Sequence, residues 1–372
     1  MSSGYNGLRI LHLQVEFNTW AQARPWSYAA GLGLDEGLSA AGVEFLTLTT
    51  PWLGRAPEIV AGHQFDQVWM EVVHQSAAPK ALFEWIAGLA PVRVGFLGES
   101  LRYAEAERAI WPEVFPQLAE REVRVESRLP YLTHAVTVDE ADAQDLTARG
   151  LPSMWWPQAV PARFIRTQTP PPGHRAIIGG TPYGKRQEIL QHPALQGLLS
   201  RPGSAEDQSL LPALFDGLQQ AAMGFVQQGL KSWQRSLLAY MTTLREIRQN
   251  AFELYLDALQ TGCAVVNLPH LVKGYAGRVV EGMAAGRPVV SWDLPHRPMN
   301  RALFEDGREI LLFDPEQPRQ LAEHLERIMR DTTFATRIAD AARWKLQTFH
   351  TVEHRVAQIL AWSAAGVEPR FA

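Results

Sequence analysis

The sequence has almost no cysteine. Cys263 stands alone, so the chain can form no internal disulfide and suits a reducing compartment. It also lacks a strong charge of either sign. A formal net charge of −4 over 372 residues argues against a dedicated nucleic-acid binder, whose footprint would be a basic face. Long apolar runs are missing too: no stretch could span a bilayer, and the opening MSSGYNGLRILHLQ is too weakly apolar for a signal peptide. The expected location is therefore the cytoplasm. No segment repeats. What is present is 46% hydrophobic and 20% charged residues, the balance of a globular chain with material for two cores.

Over the first 160 residues, β-rich runs alternate with helical ones. LRILHLQ (8–14), VEFLTLT (43–49), FDQVWMEVV (65–73), VRVGFL (92–97) and THAVTVD (133–139) predict strands. WSYAAGLGLDEGLSAAG (26–42), PKALFEWIAGLA (79–90) and EADAQDLTARG (140–150) predict the helices between them. That order implies a parallel, doubly wound α/β sheet. GLGLDEG is a near-miss to G-x-G-x-x-G, but its last glycine comes one place late and inside the predicted helix. The proline-rich WWPQAVPARFIRTQTPPPGHR (155–175) reads as a linker, and RAIIGG then opens a second unit. Residues 187–261 read as mostly helical, broken by a loop SRPGSAEDQS (200–209). CAVVNLP, GRVVEGMAAG, RPVVSWD and EILLFD restore the alternation, and QLAEHLERIMRD and TVEHRVAQILAWSA are expected to close the chain as two helices. The organisation expected is a Rossmann-like domain over 1–163, a second over 164–350 and a terminal helix and tail over 351–372, with a ligand cleft between the domains.

Three short motifs invite chemistry. GGTPYGKR (179–186) has the glycines and lysine of a P-loop, yet Arg186 stands where a hydroxyl should ligate magnesium. What survives is a strand, a glycine turn and a helix start, which aims backbone N–H groups at an anion with Arg186 beside them; the alternative is a tight turn with a surface arginine. DEAD (139–142) falls at a strand-to-helix junction, where Asp139 reads as an N-cap. HTVEH (350–354) imitates a zinc-protease pattern, but too little chain follows for a distant third ligand, and Thr351 reads as the N-cap of the last helix.

The segment GYAGRVVEGMAAGRPVVSWDLP (274–295) carries the most chemistry. Gly274 and Gly277 are expected to free the backbone before a short helix, and Gly286 to close it. The first amides of that helix, with Arg278, form an anion site, and Glu281 lies one turn further on. A carboxylate there suits two vicinal ribose hydroxyls; an i,i+3 ion pair on an ordinary helix is the other reading.

From about residue 262 to 361 the chain resembles the C-terminal domain of GT-B glycosyltransferases, through GRVVEGMAAGRPVVS, LFEDGREILLFD, LAEHLERIMRD and FHTVEHRVAQIL in that order. It looks most similar to the spore-maturation (CgeB-like) group, related to family 4; IIGGTPYGKRQEIL and WWPQAVP resemble further parts of those proteins. The resemblance implies a GT-B fold, two Rossmann-like domains facing across a cleft with a mostly helical segment in the second. It implies a nucleotide-sugar donor of UDP, GDP or dTDP type, no other cofactor and no metal. Glu281 would hold the ribose, Arg186 and Arg278 the diphosphate, and Gly179 and Gly180 would admit its approach. Gly274, Tyr275, Ala276 and Gly277 would line the same site, with Asn267 and Leu268 near the base. Many relatives carry a second glutamate eight residues before this one; here that position is Lys273.

A transferase also needs a group to act on the acceptor hydroxyl. Strand ends of the first domain offer Glu99, His74 and Glu16, with Glu99 the first choice; a structural carboxylate and a packed surface histidine are the alternatives. The acceptor could be a glycan, a protein or a small metabolite. Two other functions fit the same residues: a nucleotide-sugar epimerase, and a catalytically silent nucleotide-sugar-binding or scaffolding protein that forms a homo-oligomer through 187–261.

Overall fold

The structure, a computed structural model, describes residues 5–14, 33–73, 80–103, 115–180, 182–201, 220–221, 224 and 233–371. Two parallel sheets organise it. The first has the order β2-β1-β3-β4-β5-β6, from β1 (Arg9–Leu13), β2 (Glu44–Leu48), β3 (Gln67–Glu71), β4 (Val92–Leu97), β5 (His134–Thr137) and β6 (Ser153–Trp155). The second has the order β11-β10-β9-β7-β8, from β7 (Ala176–Ile178), β8 (Leu199–Ser200), β9 (Val265–Asn267), β10 (Val289–Trp292) and β11 (Leu311–Phe313). All the pairings are parallel. Runs such as Ala176–Ile178 and Val265–Asn267 are buried throughout, because a parallel sheet covered on both faces wants unbroken apolar sequence rather than alternation.

Several elements differ from the sequence reading. β6 enters the first sheet where a linker was expected to begin, because Met154 and Trp155 are buried against it. Three helices close the chain rather than two: Pro318–Arg330, Thr332–Phe349 and Val352–Ala365. The middle one was legible in principle. Asp331 caps it by accepting the Phe334 N–H at 2.8 Å, and Phe334, Ile338, Ala342 and Leu346 form a buried stripe at four-residue steps. Helix Phe115–Glu126 was also unforeseen. Among the described residues no helix is long and apolar enough to cross a membrane.

Two elements join the sheets. Helix Val352–Ala365, with Thr351 as its N-cap, leaves the second unit and packs on helix Gly33–Ala40 of the first. The approach is close enough to require a glycine: a Cβ on Gly37 would sit 2.4 Å from Val356 Cγ2. Helix Trp233–Gln260, roughly 40 Å long at 1.5 Å per residue, spans both units. Near its start Tyr240 packs edge-on against Trp52 at 6.1 Å, and Arg245 pairs with buried Asp35 at 2.7 Å. Near its end Tyr255 is buried beside Glu281 and Arg278 of the second unit.

Candidate functional site

The site is built where β7 and β9 end. β7 stops at Ile178, and Gly179 and Gly180 follow; Gly180 has φ +94°, a conformation that side chains rarely adopt. Space makes the same demand. A Cβ on Gly180 would lie 2.8 Å from Arg186 Nη1 and 3.4 Å from Arg278 Nη2, and one on Gly179 would lie 2.9 Å from Arg278 Nε. Both guanidinium groups therefore rest on a single bare turn. Arg186 sits in the helix Lys185–Gln191, a helix of only 7 residues, behind Gly184 at φ 46°. It is 6% exposed, donates from Nε to the Pro269 carbonyl and stacks 4.9 Å from the Tyr183 ring. Burial pushes its pKa down to about 10, and neighbouring Arg278 pushes in the same direction, so it remains charged at neutral pH.

Arg278 opens the helix Gly277–Ala284, reaching the turn from the other side. Its Nε is buried and has no hydrogen-bond partner among the described residues. Tyr255 lies behind it, with its hydroxyl in hydrogen-bonding reach of Glu281 and Arg278; burial first, then the Glu281 charge, raises its pKa and keeps the phenol protonated. Two cations held together by the fold, with a donor N–H left over, are the chemistry that would suit an anion.

Residues 219–361 match the family described as glycosyl transferase-like. No curated protein matches the chain by sequence. Among solved structures, Anabaena HepE in complex with UDP and glucose aligns over 97% of this chain and 100% of its own, with TM-score 0.54 and 15% identity. Sucrose-phosphate synthase from Thermosynechococcus elongatus aligns over 94% and 97%, with TM-score 0.56 and 12% identity. An alpha-glucosyltransferase in complex with UDP and a mismatched 13-mer DNA aligns over 98% and 100%, with TM-score 0.57 and 10% identity. The fold is GT-B.

In this GT-B chain the other residues singled out by sequence distribute unevenly. Glu281 is 2% exposed and turned inward towards Tyr255, whereas a ribose-binding carboxylate has to be reached by the ribose. Asn267 and Leu268 are buried as well; Asn267 donates to Ser291 Oγ at 2.9 Å inside the sheet. Tyr275 packs into the core against Phe304 at 5.9 Å, and its N–H is taken by Asn300 Oδ1 at 2.8 Å. Gly274 answers to close packing rather than to a turn: a Cβ there would meet the Val138 carbonyl at 2.9 Å. Ala276, Gly277 and Arg278 are the partly open members of the stretch.

The first domain presses on the same loop. Lys273 N donates to Ser100 Oγ at 2.8 Å, its ammonium reaches the Arg102 carbonyl and lies 4.8 Å over the Tyr103 ring, and Tyr103 donates to the Leu271 carbonyl at 2.7 Å. Lys273 is thus a closure residue, engaged with the opposite domain. Glu99, just past β4, is ion-paired with Arg121. His74 and Glu16 lie outside the described residues. Sequence reasoning passed over Tyr255, for which a tyrosine 26 places before Glu281 on a separate helix gives no signal. It also passed over His270, which stands between two residues already singled out.

Proposed function

We propose that the chain transfers a sugar from a nucleotide-diphosphate sugar to an acceptor hydroxyl, as the similarity to glycosyltransferases suggests, and that it belongs with the CgeB-like group related to family 4. The observation that carries this is the convergence of Arg186 and Arg278 on the Gly179–Gly180 turn. As the bond from sugar to diphosphate breaks, negative charge gathers on the leaving phosphate, and fixed guanidinium groups in a partly dry site lower the energy of that state. In this reading the reaction proceeds without a metal, and UDP is the first donor nucleotide to try, since two of the aligned proteins are described in complex with it. The decisive experiment is transfer or slow donor hydrolysis across UDP-, GDP- and dTDP-sugars. Arg186→Ala and Arg278→Ala should each weaken nucleoside-diphosphate affinity about tenfold or more, the worth of one charge-assisted contact. Unchanged affinity in both, measured by calorimetry, defeats the assignment.

One observation favours a second reading, nucleotide-sugar binding without turnover. Glu99, the first choice for a base, is ion-paired with Arg121 and so is poorly placed to take a proton. Stoichiometric binding of a donor with no product from any acceptor class or from water would select it. An oligomer lost on deletion within 187–261 would add the scaffolding role.

A further inference from the structure

We propose that His270 is a third, uncharged donor to the diphosphate, its Nε2–H reaching an oxygen of the leaving group beside Arg186 and Arg278. This rests on the nucleotide-sugar reading above and adds to it a residue outside the sequence motifs. The imidazole is 9% exposed in the loop after β9, next to Pro269, whose carbonyl takes Arg186. Nδ1 accepts the Val272 N–H at 3.1 Å, so in the neutral ring the proton belongs to Nε2. That Nε2 is buried and has no hydrogen-bond partner among the described residues. The ring packs edge-on against Trp292 at 5.9 Å.

Leaving a buried donor unmatched costs stability, and a bound ligand is one way such a group is completed. The ligand here must offer an acceptor, and the charges of Arg186 and Arg278 nearby favour an anionic one. Burial, then the charges of Arg186 and Arg278, hold the ring neutral, with the Gly274 carbonyl opposing weakly. A neutral donor suits a site that already holds two guanidinium groups: a third cation would repel them in the empty protein, whereas an imidazole N–H adds a directed bond without added repulsion.

The test uses the full chain and titrates UDP, GDP and the matching monophosphates by calorimetry. His270→Leu should weaken whichever diphosphate the wild type binds by about tenfold, while the ratio for the monophosphate changes less. His270→Gln, which keeps an N–H close to Nε2, should retain most of the affinity, and His270→Asn, whose amide is too short, should not. Should the leucine variant fail to fold, the Gln and Asn pair decides alone. The affinity of the wild type should not climb as pH falls from 8 to 6; a climb absent from His270→Gln would show a cationic ring and overturn the proposal. Wild-type diphosphate binding with all three variants equal to it overturns this inference and leaves the function reading intact. A wild type that binds no nucleoside diphosphate overturns both.

Discussion

Arg297 grips Asp139 across the boundary between the domains, Nε to Oδ1 at 2.6 Å and Nη2 to Oδ2 at 3.2 Å. Asp139 is fully buried, and the same carboxylate caps the helix Glu140–Ala148 by accepting the Ala141 N–H at 3.1 Å. The neighbouring Glu140 takes the N–H groups of Asn300 and Met299, at 2.7 and 3.2 Å. Helix capping and domain closure therefore share one pair of side chains.

Removing Arg297 should expose that dependence. Arg297→Ala leaves a buried carboxylate that keeps the Ala141 N–H but has Lys273 Nζ, at 3.9 Å, as its one remaining cation among the described residues, and should cost about 3 kcal/mol in urea unfolding. Asp139→Asn in the same background should recover part of the loss, since the amide oxygen still caps the helix. A loss under about 1 kcal/mol in the single variant would mean that the pair does not hold the domains.

The glycine turn gives a sharper expectation for binding. Gly180→Ala must hold a side chain at φ +94° and push aside Arg186, so UDP affinity should fall tenfold or more by calorimetry. Native affinity in that variant would separate the turn from the ligand.

Glu281 offers a choice between two roles. Its burial favours support of Arg278 through Tyr255 over direct contact with the ribose. Glu281→Ala should then weaken UDP and 2′-deoxy-UDP by the same factor. A preference for UDP in the wild type that vanishes in the variant would restore the ribose contact.

Asp142 supplies a pH dependence. It accepts the Leu101 N–H at 2.7 Å, and burial, then Asp139, raises its pKa from 3.8 to about 7, against a lowering by Lys273. Between those values the folded chain holds a proton that the unfolded chain has lost, so this group's contribution to stability falls as pH rises from 4 to 7. Asp142→Asn keeps an acceptor for Leu101. It should flatten that fall and raise Tm at pH 8 by about 2 °C. Parallel pH profiles for the two proteins would rule the coupling out.

What the sequence by itself determined was local. Apolar runs placed the main strands within a residue or two, because a strand buried on both faces leaves an unbroken signature; Asp139 and Thr351 were readable as caps from residue type and position. Gly286 ends its helix at φ +72°, as its place in the pattern required. Tertiary structure alone decided the rest. Lys273 stands where the resemblance led to the expectation of an acid, yet its ammonium is committed to the first domain; Glu281 has the right spacing but faces inward; His270 has no motif, yet feels the charges of two arginines drawn from segments some 90 residues apart. Periodicity records which face a residue shows to its own helix or sheet. It carries no information about which distant segment will cover that face, and an anion site exists only once the covering is known.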